Sequence, residues 1–205
     1  MLFRSMFVNT QPRYEILSED AMDVLDRGWK RIVSEIGVEF ASPWATELLA
    51  AAGQQVDGMR VRFDPEWVVA QIAKAPAQYT VHARNPEHDV VIGGDHMVFA
   101  GVYGPPFARR GAVRKEGTLE DFRNFARLCQ TFPAMDSAGG VLIEPNDAPL
   151  DSRHLDMSFA LQTLTDKVYM GNVVRESNAE DLLNMAGIVF GGREVLEQKP
   201  VMISL

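Results

Sequence analysis

The segment Phe99-Ala-Gly-Val-Tyr-Gly-Pro-Pro-Phe107 sets two aromatic rings among small residues and a rigid Pro105-Pro106 turn. Small residues let backbone segments approach closely, and an aromatic face attracts quaternary ammonium groups. Tyr103 and Phe107 are therefore candidate walls for a cationic ligand; the competing reading makes them packing residues of a core-lining turn. Glu144 directly follows the apolar run Val141-Leu142-Ile143, and Pro145-Asn146-Asp147 then breaks the chain. A carboxylate at the end of a buried strand can pair with a cation or orient another side chain, unless it is simply a solvated loop acid. Asn172, after Gly171, holds the matching place one strand later and offers an uncharged donor and acceptor. His154, within Ser152-Arg-His-Leu-Asp156 at a helix start, either points toward the same site or packs beside Arg153 and Asp156.

Other chemistries lack their signatures. His82, His88, His96 and His154 form no H-E-x-x-H or other metal-ligand pattern, so no metal site is expected. There is no G-x-G-x-x-G or P-loop, and Gly191-Gly192-Arg193 follows a helix instead of opening one, which disfavours nucleotides and S-adenosylmethionine. The single cysteine, Cys129, falls on an apolar stripe with Phe122, Phe125 and Leu128 and reads as a buried small hydrophobe. Twenty Lys and Arg against 28 Asp and Glu give a net charge of −8, a field that repels nucleic acid. No apolar run approaches the roughly 18 residues of a membrane span, and MLFRSMFVNTQPRY has no continuous signal core. A reducing cytoplasm is the expected setting.

Periodicity supplies the elements that must position these residues. Met22, Leu25, Trp29, Ile32, Val33 and Ile36 predict a helix from about Leu17 to Ile36, stopped by Gly37. Ser42-Pro43 and Asp64-Pro65 each open a short helix, with Ser42 and Asp64 as N-caps, and Met59–Phe63 alternates as a strand between them. Tyr79–Gly104 reads as a small antiparallel β region broken at Asn85-Pro86 and Gly93-Gly94-Asp95.

After about Gly117 the rhythm alternates. Helices are expected over Thr118–Thr131, Ser152–Leu164 and Ser177–Phe190, and extended segments over Ser137–Ile143, Val168–Val174 and Val201–Leu205. Thr118 with Asp121, and Ser177 with Glu180, have capping-box spacing. Nearly continuous apolar strands suit a parallel sheet covered by helices. The expected fold is α/β: a partial TIM-type (β/α)8 barrel over residues 117–205, preceded by an N-terminal α+β cap over residues 1–116. Three such strands are fewer than the eight of a full barrel, so the chain reads as truncated. A small open sheet with an apolar edge, inviting self-association into a homo-oligomer, is the alternative.

These segments together resemble the trimethylamine methyltransferase family along essentially the whole chain. The likeness rests on Ile36-Gly-Val-Glu-Phe40, Leu48-Leu-Ala-Ala-Ala-Gly53, His82-Ala-Arg-Asn-Pro86, Val90-Val-Ile-Gly-Gly94, Gly104-Pro-Pro-Phe107, Thr118-Leu-Glu-Asp-Phe122, Glu144-Pro145, Arg153-His-Leu-Asp156 and Thr165-Asp-Lys167. The resemblance implies a TIM-type barrel that moves a methyl group from a methylated amine to the cobalt of a corrinoid. That corrinoid is carried by a partner protein; none is bound directly. Trimethylamine-demethylating members carry a pyrrolysine later than this chain reaches, whereas members acting on quaternary amines such as glycine betaine lack it. Tyr103, Phe107, Glu144 and Asn172 are the expected substrate-binding residues, with no catalytic residue assigned. The rival reading is a non-catalytic binding or assembly module built from an incomplete barrel.

Overall fold

The structure, a computed structural model, describes residues 7–204. They form two compact units: Gln11–Pro76, and a larger one in which residues 7–10 join Ala77 onward. The first element, β1 (Phe7–Val8), belongs to the larger unit.

In the smaller unit Ser18 caps α1 (Glu19–Arg31) by accepting from the Ala21 N–H at 3.3 Å. The helix then loosens into one π-type turn, Ile32–Ile36, which Gly37 ends at φ 76°. Only glycine fits there, because a Cβ would run into the Val61 carbonyl. There follow β2 (Val38–Glu39), α2 (Pro43–Ala51), β3 (Gln55–Asp57), β4 (Arg60–Arg62) and α3 (Pro65–Ile72). The three strands make an antiparallel sheet of order β2-β4-β3, with buried Val61 opposite both Val38 and Val56. Arg60 and Arg62 donate to the carbonyls of Ile36 and Glu35 at 3.3 and 3.2 Å, serving acceptors that a helix end leaves open. Asp64 caps α3 through the Glu66 N–H at 3.0 Å, whereas Ser42, at the corresponding place before α2, makes no side-chain cap bond.

The larger unit begins with a hairpin, β5 (Gln78–Val81) and β6 (Val90–Gly93), and β7 (His96–Met97) pairs antiparallel with β1. A second hairpin, β8 (Phe107–Arg110) and β9 (Val113–Glu116), lies outside the β region read from the sequence. Its residues Arg109, Arg110, Arg114 and Lys115 hide the apolar alternation that marks a half-buried strand. The rest is α4 (Leu119–Thr131), α5 (Arg153–Leu164), β10 (Tyr169–Gly171), α6 (Glu176–Phe190), α7 (Arg193–Gln198) and β11 (Met202–Ser204). Leu205, expected at the end of the last strand, lies outside the described residues.

Four extended segments of this unit run parallel in chain order. Ala100 pairs with Ser137, Ser137 with Val168, and β10 with β11, where Tyr169 faces Met202. Phe99 and Ala100 thus belong to a parallel succession, not to the antiparallel region in which their sequence neighbourhood places them. The second segment is shorter than its apolar run suggests: Gly139 at φ 74° breaks it, so Val141, Leu142 and Ile143 are buried as a turn. Helices α4 and α5 pack on these segments through Phe122, Ala126, Cys129, Met157, Ala160 and Leu161. Each large side chain so buried contributes about 1.5–3 kcal/mol.

The β5–β6 hairpin covers the N-terminal ends of the segments, where Val81, Ala83 and Val90 meet Val168 and Ile203. It is held there by polar bonds. The His82 N–H donates to the Pro200 carbonyl at 2.7 Å, and Asp166 accepts from His88, Gln130 and Asn85 at 2.7, 2.9 and 3.3 Å. Neighbouring Lys167 is only 6% exposed, and its ammonium donates to the carbonyls of Cys129, Phe132 and Met135 at 2.8, 2.7 and 2.7 Å. The Cys129 carbonyl needs this donor, because the residue four places on is Pro133, which has no N–H. Among the described residues no helix is long and apolar enough to cross a membrane.

Candidate functional site

Loops follow the parallel segments at their C-terminal ends, opposite the β5–β6 hairpin. Two of them are stitched together. The Gly104 N–H donates to the Val141 carbonyl at 2.7 Å and the Glu144 N–H to the Pro105 carbonyl at 3.0 Å. Asn146 completes the seam, its amide donating to the carbonyls of Pro106 and Glu144 at 3.0 and 3.2 Å. Asp147 then accepts from the Leu119 N–H at 2.8 Å, adding to the Thr118–Asp121 capping box that opens α4. Pro145 and Asn146, which read as a chain break in the sequence, are the fastening of this rim.

Tyr103 and Glu144 lie within electrostatic reach of each other on the rim. The Tyr103 ring lies against Gly140 so closely that a Cβ there would come within 2.6 Å of the ring edge, and that same Cβ would stand 3.1 Å from the Met170 side chain. Burial, helped by the nearby Glu144 charge, raises the Tyr103 pKa above its ordinary value, so the phenol stays protonated and neutral at physiological pH. Glu144 in turn is paired: its Oε2 accepts from Arg153 Nη1 at 3.1 Å. Arg153 opens α5, and its buried Nε has no hydrogen-bond partner among the described residues.

Asn172 lies beyond Met170. It lines a cavity of about 10 Å³ with Gly140, His154, Ser158 and Met170, so Gly140 touches both the tyrosine and this small space. The volume is at the lower limit for one water molecule, and the buried Ser158 hydroxyl has no protein partner among the described residues. His154 lines the same cavity and ties α5 to α6, its Nε2 lying 2.9 Å from Asp181 Oδ2. The structure sets Phe107 apart. Its ring lies under the Arg114 guanidinium, 3.7 Å from the centroid, and it lines a separate apolar groove of about 530 Å³ with Leu128, Phe132 and Leu142.

Sequence reasoning missed Arg153 as the partner of Glu144, and Gly140 as a neighbour of Tyr103. Glu144 and Arg153 stand in different elements with no periodic relation, so only the turn between them brings them together. The other histidines make ordinary structural bonds: His82 to Asp89 at 2.7 Å and His96 to the Gly93 carbonyl at 3.2 Å within the β region, and His88 to Asp166 across to the parallel segments. Among the described residues no group of three or more His, Cys, Asp or Glu comes together as a metal site would require.

Comparison with known proteins gives this arrangement a setting. The family model described as trimethylamine methyltransferase matches residues 3–205. A glycine betaine methyltransferase of Desulfitobacterium hafniense (strain Y51) is 42% identical over 195 residues, 95% of this chain and 41% of that protein. A trimethylamine methyltransferase of Desulfitobacterium hafniense (strain DSM 10664 / DCB-2) is 26% identical over 191 residues, 90% of this chain and 38% of the relative. The chain therefore spans about two fifths of the length of these relatives.

Proposed function

Because the chain belongs to the trimethylamine methyltransferase family, we propose that it forms part of an enzyme that takes a methyl group from a quaternary amine such as glycine betaine. The acceptor is the cobalt of a corrinoid carried by a partner protein, which supplies the nucleophile. The likeness to a glycine betaine methyltransferase across 95% of the chain carries this reading. The parallel order of the four extended segments supports the companion proposal, a partial (β/α)8 barrel, since each segment pairs with the next in sequence as the strands of a singly wound barrel do.

The chemistry asks for positioning and electrostatics more than for a protein nucleophile. A quaternary nitrogen already bears the positive charge that makes a neutral tertiary amine the leaving group. The Tyr103 face attracts that charge, Gly140 lets the ring pack close to the backbone, and Glu144 supplies a carboxylate nearby. Asn172 offers hydrogen bonds without charge. A strongly reduced acceptor fits a reducing cytosolic setting.

Isothermal titration of the chain with glycine betaine and with trimethylamine tests the substrate side of this reading. Saturable binding of glycine betaine that disappears in Tyr103→Ala is the expected result. A folded chain that binds neither amine contradicts it.

A further inference from the structure

Resting on that reading of the rim, the geometry points to Arg153 as a specificity-determining residue: by neutralising Glu144 it adapts the rim to a net-neutral zwitterion carrying an ammonium and a carboxylate, in preference to a simple cation. Glu144 alone would draw any quaternary ammonium ion. It is not alone, for Arg153 Nη1 stands 3.1 Å from its Oε2, with the two side chains 15% and 31% exposed. At such partial burial opposite charges attract well above their strength in water.

The backbone of Glu144 is held on both sides, by its N–H on Pro105 and by Asn146 on its carbonyl. Arg153 is fixed at the first turn of α5. The pair is a single contact through Nη1 instead of a two-pronged fork, which leaves Glu144 Oε1 outside the arginine bond. Beside the Tyr103 ring the rim thus presents a negative end and a positive end with no net charge. A zwitterion complements both ends. A net cation meets the carboxylate and the guanidinium together, and their effects on it largely cancel.

The positioning role makes predictions of opposite sign for two ligands. Titration of the full chain with glycine betaine and with tetramethylammonium, at low ionic strength, reads them. In Arg153→Met the unpaired Glu144 is expected to tighten tetramethylammonium by about tenfold and weaken glycine betaine by a similar factor. Arg153→Lys restores the original order. Glu144→Gln, which removes the acid and keeps the fold should Arg153→Met not fold, is expected to weaken tetramethylammonium about tenfold. Parallel loss of both ligands in Arg153→Met would mean that the arginine only supports the structure, and would overturn the inference. Unchanged affinities in Arg153→Met, with binding by the unsubstituted chain intact, overturn it too while leaving the amine-site reading standing. Failure of the unsubstituted chain to bind either ligand overturns both.

Discussion

Replacing Lys167 with methionine keeps the length and apolar stem of the side chain and removes only the ammonium. Three donated bonds disappear, to the carbonyls of Cys129, Phe132 and Met135. The Cys129 carbonyl is then stranded beside Pro133, while Phe132 keeps the Met135 N–H at 3.2 Å. Hydrogen bonds from a charged donor contribute about 1.5–3 kcal/mol each, so the gross loss is roughly 4.5–9 kcal/mol. Burial works the other way: it lowers the Lys167 pKa below its ordinary value, a sign that the charge is costly here, and methionine escapes that cost. The net expectation is a destabilisation of about 3 kcal/mol. Urea unfolding followed by far-ultraviolet circular dichroism measures it, and hydrogen exchange at the end of α4 should speed up in the same variant. Exposed Lys199→Met serves as control, within about 0.5 kcal/mol of the unsubstituted chain. A loss below about 1 kcal/mol in Lys167→Met would refute the view that this lysine stands in for the missing proline N–H.

Asn146→Ala cuts the seam between the two rim loops and should cost about 1–2 kcal/mol in unfolding free energy, measured by urea titration. Gly140→Ala drives a methyl group into the Tyr103 ring edge; it should cost about 1–3 kcal/mol and weaken glycine betaine in calorimetry, whereas full affinity would detach the tyrosine from the site. Asp121 has a pKa held below its ordinary 3.8, chiefly by the Lys115 hydrogen bond and also by Thr118, against an opposing desolvation. Because the unfolded chain takes up that proton first, the stabilisation is present above pH about 4 and is lost as pH falls through the folded value. Thermal melts of Asp121→Asn should therefore lose part of the acid dependence seen below pH about 4.

What the sequence made legible follows from how far each signal reaches. The α4 start is local, and Thr118 with Asp121 forms the expected box, whose neighbouring stripe buries Cys129 at 8% exposure. The same spacing at Ser177 and Glu180 misled, because α6 begins one residue earlier at Glu176 and Glu180 instead binds Arg193 at 2.7 Å. Helix α7 went unread because only six residues separate Gly192 from Lys199, too few for a helical period to declare itself. At the proposed rim, Tyr103 and Glu144 could be singled out by residue type and position. The Arg153 pairing, the Gly140 contact and the Asn146 seam were not, since each joins segments that only the fold brings together. Phe107 shows the converse: an aromatic residue of suitable type whose face the structure gives to Arg114.

The proposed function requires a quaternary ammonium group to be held at the rim around Tyr103. Amide chemical-shift mapping of the isotope-labelled chain, titrated with glycine betaine, locates the ligand directly. Shifts concentrated at Tyr103, Gly140, Glu144 and Met170 are predicted. Shifts confined to the groove of Phe107, Leu128 and Phe132, or none at saturating ligand, would contradict it.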